Sequence, residues 1–313
     1  FTAITIPQLA QLVEKAAHVA FLGKTGSGKT TLAEAILRHI DGKFVIFDMK
    51  WSMQNPPKWG GLPAAPIDDE GGFSFIKEAI GRLWAEFRQR IVIAKTQIAT
   101  FEQLNVIWDE VNETIAGIPE VGEYLRRMVL VAREYRIRLI LFPQSDRVEA
   151  LGLKGFGDTR ANFLWIYLGA DARQVVRGLY LKRHIDHALF SRINQLERPC
   201  VAEVEGHWYS IDVTDAVAYG TGAIAPERSF WADVPGSSAN VPAESSEVPS
   251  VTSSDFDVSY CEELSETDID EAVIATLLKQ GKTRTNIAKE LGGKYQARLK
   301  QIKAIQAALP QNQ

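Results

Sequence analysis

The sequence is short of cysteine, of long apolar runs and of basic charge. Two cysteines in 313 residues, Cys200 and Cys261, exclude a disulfide scaffold and a cysteine-rich zinc module. They suit a reducing compartment, so a cytoplasmic protein is expected. No apolar run approaches the ~18 residues that span a bilayer, and no secretory leader is legible. Lys and Arg number 35 against 39 Asp and Glu, a net charge of −4. That excludes nucleic-acid binding by bulk charge and confines any such contact to local basic patches. The rest is ordinary for a globular protein, with 46% apolar and 24% charged residues. At roughly 150 residues per domain, the length suits about two domains.

Charge is unevenly placed. Glu227 to Glu271 holds 12 acidic residues and one Arg, whereas Lys279 to Lys303 holds eight basic residues and one Glu. The acidic stretch is rich in Ser, Pro and Val and has no helical period, so it cannot offset its ordering entropy by burying apolar surface. The expected organisation is an α/β domain over 1–220, an acidic flexible linker over 221–264 and a small all-α domain over 265–313. In the first domain, short apolar runs at Val19–Leu22, Phe44–Phe47, Val106–Trp108, Leu139–Phe142 and Phe163–Leu168 read as strands. Helical patterns lie between them over Thr31–Ile40, Phe73–Thr100 and Val121–Tyr135. Continuous apolar strands alternating with helices predict a mostly parallel sheet covered on both faces.

Gly23-Lys24-Thr25-Gly26-Ser27-Gly28-Lys29-Thr30 fits the phosphate-loop pattern at every fixed position, between an apolar strand and a helix. Glycines permit a turn whose backbone N–H groups converge on phosphate, and the helix N-terminus adds a favourable field. Gly23, Thr25, Gly26, Ser27, Gly28, Lys29, Thr30 and Thr31 are therefore the expected nucleotide contacts. Lys29 would reach the β- and γ-phosphates of ATP, and the Thr30 hydroxyl would ligate Mg²⁺. Further on, the strand Val106-Ile107-Trp108 ends in Asp109-Glu110. Asp109 is the expected Mg²⁺ partner and Glu110 the general base that polarises the attacking water. Gln144, just after Leu139–Phe142, can both donate and accept, and so can sense the γ-phosphate.

This ordered set resembles the FtsK–HerA superfamily of RecA-like DNA-pumping ATPases. The phosphate loop, Phe44–Lys50 with its Asp48-Met49-Lys50 ending, Asp109-Glu110 and the run Ala132–Gln144 carry the resemblance, with Asp158–Phe163 and Asp171–Arg173 further on. It covers about residues 17–212. The resemblance implies a homo-hexameric ring with ATP between neighbours, completed by an arginine from the next subunit. Arg160 is the first candidate for that finger, with Arg173 and Arg133 in reserve. It also implies DNA contacts from loops facing the ring centre: Arg147 and Lys154 in Ser145–Asp158, and Lys58 and Trp59 in Trp51–Gly61. Unlike the family's membrane-anchored members, this sequence shows no membrane segment.

In the tail, Thr267–Lys279, Thr283–Gly292 and Lys294–Leu309 read as three helices, the first capped by Ser265 or Thr267. This pattern resembles a helix-turn-helix domain, with Lys294, Arg298 and Lys300 on a basic third helix as DNA contacts. A protein-docking module is the competing reading. Two functions follow: an ATP-driven DNA translocase with a tethered DNA-recruiting tail, or a nucleotide-switched DNA-binding regulator with little motor action. A small-molecule kinase is disfavoured because no Arg-rich phosphate lid is evident.

Overall fold

The computed structural model describes residues 1–48, 59, 60, 62, 73–96, 100–145, 151, 153, 157–213, 216–219, 223–230, 274, 275, 277, 278, 282–291 and 295–308. In chain order the main elements are β1 (Thr2–Ile4), α1 (Ile6–Lys15), β2 (His18–Leu22), α2 (Lys29–Leu37), β3 (Lys43–Phe47), α3 (Ser74–Thr96), β4 (Leu104–Asp109) and α4 (Val111–Gly117). There follow α5 (Glu120–Val131), β5 (Ile137–Phe142), β6 (Phe163–Leu168), α6 (Ala170–Leu181), α7 (His187–Gln195), β7 (Pro199–Val204) and β8 (His207–Asp212). These eight strands form one sheet in the order β1-β8-β7-β6-β2-β5-β4-β3. The block β6-β2-β5-β4-β3 is parallel throughout. β7 runs antiparallel to both β6 and β8, and β1 adds to β8 in parallel. The expected α/β architecture, a mostly parallel sheet covered by helices, is what the structure shows.

Strand pleating sorts the apolar residues onto two faces. Val19 and Phe21 of β2, Ile107 of β4 and Ile140 of β5 join the cluster under α1 and α2. Ala20, Val106, Trp108, Leu139 and Leu141 join the other, with Leu83 and Phe87 of α3 and Val121 and Leu125 of α5. Covered on both faces, the central strands can be apolar without alternation, which is why they were legible. The expected helix over Val121–Tyr135 is instead α5 followed by a 3-10 turn, Ala132–Tyr135, which Arg136 ends in a left-handed conformation with φ 58°.

The sequence reading assigned no elements to residues 2–15 and placed none over 174–212. α1 is opened by a capping box: Gln8 Oε1 accepts from the Thr5 N–H at 2.8 Å, and Thr5 Oγ1 accepts from the Gln8 N–H at 3.5 Å. β7 and β8 form a hairpin whose two turn residues both have positive φ, Glu205 at 51° and Gly206 at 79°. That matches the twist of the flanking strands.

One boundary is corrected. Residues 223–230, assigned to the linker, pack on the α/β unit. Ile224 is buried and its N–H donates to the Gly60 carbonyl at 2.8 Å. Ser229 pairs in parallel with Phe44 on the edge strand β3. The Arg228 guanidinium donates to the carbonyls of Leu37, Ile40 and Gly42 and lies 4.6 Å from the Phe44 ring centroid. These contacts cap the C-terminal end of α2, where a cation is favoured. Composition alone did not separate the few docking residues from the acidic stretch that follows them. Residues 231–264 lie outside the described residues, as do Ser265 and Thr267. In the tail, helices run over Arg284–Leu291 and Tyr295–Ala308, close to the second and third expected. Residues 274, 275, 277 and 278 are helical within the first.

His18 begins the phosphate-loop strand and is buried. Its Nδ1 accepts from the Leu139 N–H at 3.1 Å, so Nε2 carries the proton and faces the Val129 carbonyl at 3.2 Å. Burial pushes its pKa from 6.5 down to about 3, reinforced by Arg138 and Arg133 and opposed by the Val129 carbonyl. The unfolded chain takes up a proton near pH 6.5 that the fold refuses. The stabilisation is therefore full above that pH and declines as pH falls towards 3. Urea denaturation should show stability falling between pH 7.5 and 5.5, with a slope approaching about 1.4 kcal/mol per pH unit. His18→Gln should flatten that slope; an unchanged slope would contradict the neutral buried imidazole.

Candidate active site

Parallel strands end at one edge of a sheet, and here β2, β4 and β5 each deliver a polar loop there. The loop after β2 is the phosphate-loop sequence. Gly26 and Gly28 have φ of 80° and 91°, with nothing within 4 Å of a Cβ on either, so backbone conformation demands glycine at both. At Gly23 a Cβ would sit 2.3 Å from Ser27 Oγ, so a side chain there would force the Ser27 hydroxyl to move. Gly28 is the left-handed N-cap of α2, and Thr30 and Thr31 follow in its first turn. The expected start at Thr31 is therefore two residues late.

The loop fits a nucleotide's phosphates on two observations. The Ser27 hydroxyl oxygen is buried and has no hydrogen-bond partner among the described residues. α2 opens with no side-chain cap, leaving its first N–H groups available to an anion. Lys29 Nζ lies across the loop, donating to the carbonyl of Gly23 and, at 3.5 Å, to that of Lys24. Gly169, after β6, would bring a Cβ within 3.3 Å of Ser27 Cβ, so the end of β6 walls the loop closely. Thr25 is exposed.

The loops after β4 and β5 meet each other. Asp109 ends β4 and is half-buried, and its Oδ1 accepts from the Glu110 N–H at 3.0 Å. Gln144 Nε2 donates to Glu110 Oε2 at 3.2 Å and to Glu113 Oε1 at 3.5 Å. The Gln144 N–H donates to Asn112 Oδ1 at 3.1 Å. Glu110 and Gln144, 34 residues apart, are thus one hydrogen-bonded pair. Asn112 and Glu113 were missed: polar residues in a first helical turn carry no distinguishing sequence signal. Thr30 and Asp109 share this edge and have the donor chemistry for Mg²⁺.

Other expected residues stand elsewhere. The Arg160 backbone precedes β6, at the opposite edge of the sheet. Its side chain returns along the face, 4.4 Å from the Trp165 ring centroid and 2.6 Å from the Tyr167 hydroxyl. It is not part of the Glu110 and Gln144 cluster. Arg173 donates to the Leu196 carbonyl at 2.9 Å, bracing the chain before β7, and Arg133 is exposed in the 3-10 turn before β5. Lys58, Arg147, Lys154 and Lys294 lie outside the described residues, as does the side chain of Arg298. Lys300 is exposed on the last helix.

Trp59, expected on a DNA-facing loop, is instead fully buried. Its indole N–H donates to Asp48 Oδ2 at 2.8 Å and its ring packs edge-on to Phe142 at 5.6 Å. The apolar cluster around Phe142 and an acceptor at the end of β3 take up a side chain that a loop reading would leave outside.

No family model matches the chain, and no curated protein matches it. Solved structures give distant likenesses. The cytoplasmic domain of the Thermomonospora curvata type VII secretion ATPase EccC is 15% identical with a TM-score of 0.45, over 67% of this chain and 28% of that one. EssC (ATPases 2 and 3) from Geobacillus thermodenitrificans is 16% identical with a TM-score of 0.38, over 63% and 39%. The cytoplasmic domain of EssC is 16% identical with a TM-score of 0.36, over 52% and 35%. The chain thus spans well under half the length of each, and likenesses of this size assign it to no family.

Asn112 fixes the backbone from which Gln144 reaches Glu110. Asn112→Ala should leave nucleotide affinity within about twofold and lower turnover on the order of tenfold, the scale of a misplaced catalytic group. Steady-state turnover alongside equilibrium nucleotide binding decides it; equal losses in both would contradict a role confined to Gln144.

Proposed function

We propose that this chain is a Mg²⁺-dependent ATPase whose turnover drives movement of DNA. The observation that carries the hydrolytic reading is the Glu110 and Gln144 pair, held at 3.2 Å on the sheet edge that also bears the phosphate loop. A carboxylate beside an amide, next to a phosphate cradle, suits water activation more than transfer to a second substrate. Lys29 and the loop N–H groups would bind the β- and γ-phosphates. Thr30 and Asp109 would hold Mg²⁺, which neutralises charge on the phosphates. Glu110 would take the proton of the attacking water, and Gln144 would orient the water or the γ-phosphate.

DNA as the moved partner, the hexameric ring and the arginine supplied in trans rest on the resemblance to the FtsK–HerA superfamily. Arg160 as that finger would have to exchange its Tyr167 partner for the neighbour's phosphate. Support for DNA in the tail is the basic second half of its sequence and the exposed Lys300 on its last helix. The linker sequence from 231 to 264 would tether that tail near the ring and raise its effective concentration there.

Phosphate release from ATP by the full chain, with and without duplex DNA, tests this reading. The wild type should turn over and be stimulated by DNA. Lys29→Ala should lose nucleotide binding, while Glu110→Gln should bind ATP yet turn over at least about a hundredfold more slowly. Full turnover in Glu110→Gln would overturn the hydrolytic assignment. ATP-dependent DNA binding without DNA-stimulated turnover would favour a nucleotide-switched regulator. Removing residues 265–313 should spare basal turnover and weaken DNA recruitment in a salt-sensitive manner.

A further inference from the structure

Glu110 is a non-glycine residue in the left-handed region, with φ 50° and ψ 44°. L side chains avoid this conformation unless the surroundings enforce it. Both backbone polar groups of Glu110 are tied down. Its N–H donates to Asp109 Oδ1 at 3.0 Å. Its carbonyl accepts from the N–H groups of Glu113 at 3.0 Å and Thr114 at 3.2 Å, and from Thr114 Oγ1 at 3.4 Å. A threonine hydroxyl bonded to the carbonyl four residues back is a common helix contact and proves little alone.

Here the hydroxyl is itself held. Thr114 Oγ1 accepts from the Trp108 indole N–H at 3.1 Å, and both residues are buried, at 0% and 1% exposure. The same hydroxyl donates to the Glu110 carbonyl. The Trp108 ring is fixed in turn by Phe47 on the neighbouring strand, with centroids 4.7 Å apart. A relay of indole, hydroxyl and carbonyl thus runs from the core of β4 to the turn from which the Glu110 carboxylate meets Gln144.

We propose that Trp108 and Thr114 are positioning residues that hold the left-handed turn at Glu110 and so aim its carboxylate for water activation. The proposal deepens the hydrolytic reading above and rests on it. Neither side chain touches the reacting atoms, so their effect should fall on turnover and spare nucleotide affinity.

Thr114→Val keeps the side-chain volume and removes the hydroxyl. It should lower kcat for ATP about tenfold, with KM and nucleotide Kd within about twofold of wild type. Thr114→Ser, which restores the hydroxyl, should recover kcat to within about threefold. In a Glu110→Gln background there is no carboxylate to aim, so Thr114→Val should change the residual rate by less than about twofold. Trp108→Phe removes the indole N–H, keeps an aromatic ring and carries the same expectation if Thr114→Val melts below the assay temperature. An unchanged kcat in a folded variant overturns the proposal, as does an equal fall in both backgrounds or a Ser variant no better than Val. A wild type without turnover overturns the hydrolytic reading and the proposal with it. An active wild type indifferent to Thr114→Val overturns the proposal alone.

Discussion

Parallel pairing of β2, β5 and β4 is the constraint from which the site follows. Strands that run the same way release their chains at the same edge, so loops distant in sequence meet without any contact designed to join them. β5 lies between the strand that carries the phosphate loop and the strand that carries Asp109. Gln144, leaving β5, therefore stands between cradle and carboxylate. The register Asp109 with Phe142 ends β4 and β5 level with each other, which sets Gln144 within reach of Glu110.

What keeps those strands parallel is apolar cover on both faces, and polar groups inside that cover have to be satisfied. His18 does so by staying neutral between the Leu139 N–H and the Val129 carbonyl. Arg138, buried on β5, donates to Asn105 on β4 and to the Glu14 carbonyl at the end of α1, tying three elements together at the edge away from the site. The two edges divide the labour. The far one is cross-braced by Arg138. At the near one, where β2, β4 and β5 end, a left-handed glutamate, a buried hydroxyl without a described partner and an uncapped helix suit a site kept for a ligand.

The central strands and the phosphate loop were legible in the sequence because burial on both faces writes an uninterrupted apolar run and the loop's glycines have a fixed spacing. Glu110 and Gln144 could be named individually, but their pairing is a consequence of strand order, which no local pattern encodes. The Thr5 and Gln8 capping box and the Glu205-Gly206 turn were legible signals that went unread. Trp59 and Arg228 show the opposite limit. Their neighbours in sequence are polar or proline-rich, and their partners, Asp48 and the carbonyls ending α2, are brought to them only by the folded chain. Arg160, expected as a finger offered to a neighbouring subunit, packs within its own chain on Trp165 and Tyr167, contacts that only the folded chain reveals.

If the near edge is a nucleotide site, its loop should discriminate by phosphate number, since Lys29 and the first turn of α2 face the phosphates and not the base. Competition of ATP, ADP and AMP against a fluorescent ATP analogue on the intact chain, with Mg²⁺ present, reads this. The structure predicts saturable binding displaced well by ATP and ADP, poorly by AMP, and lost on Lys29→Ala. Displacement by AMP as effective as by ATP, or binding that survives Lys29→Ala, would contradict a phosphate-reading loop at this edge.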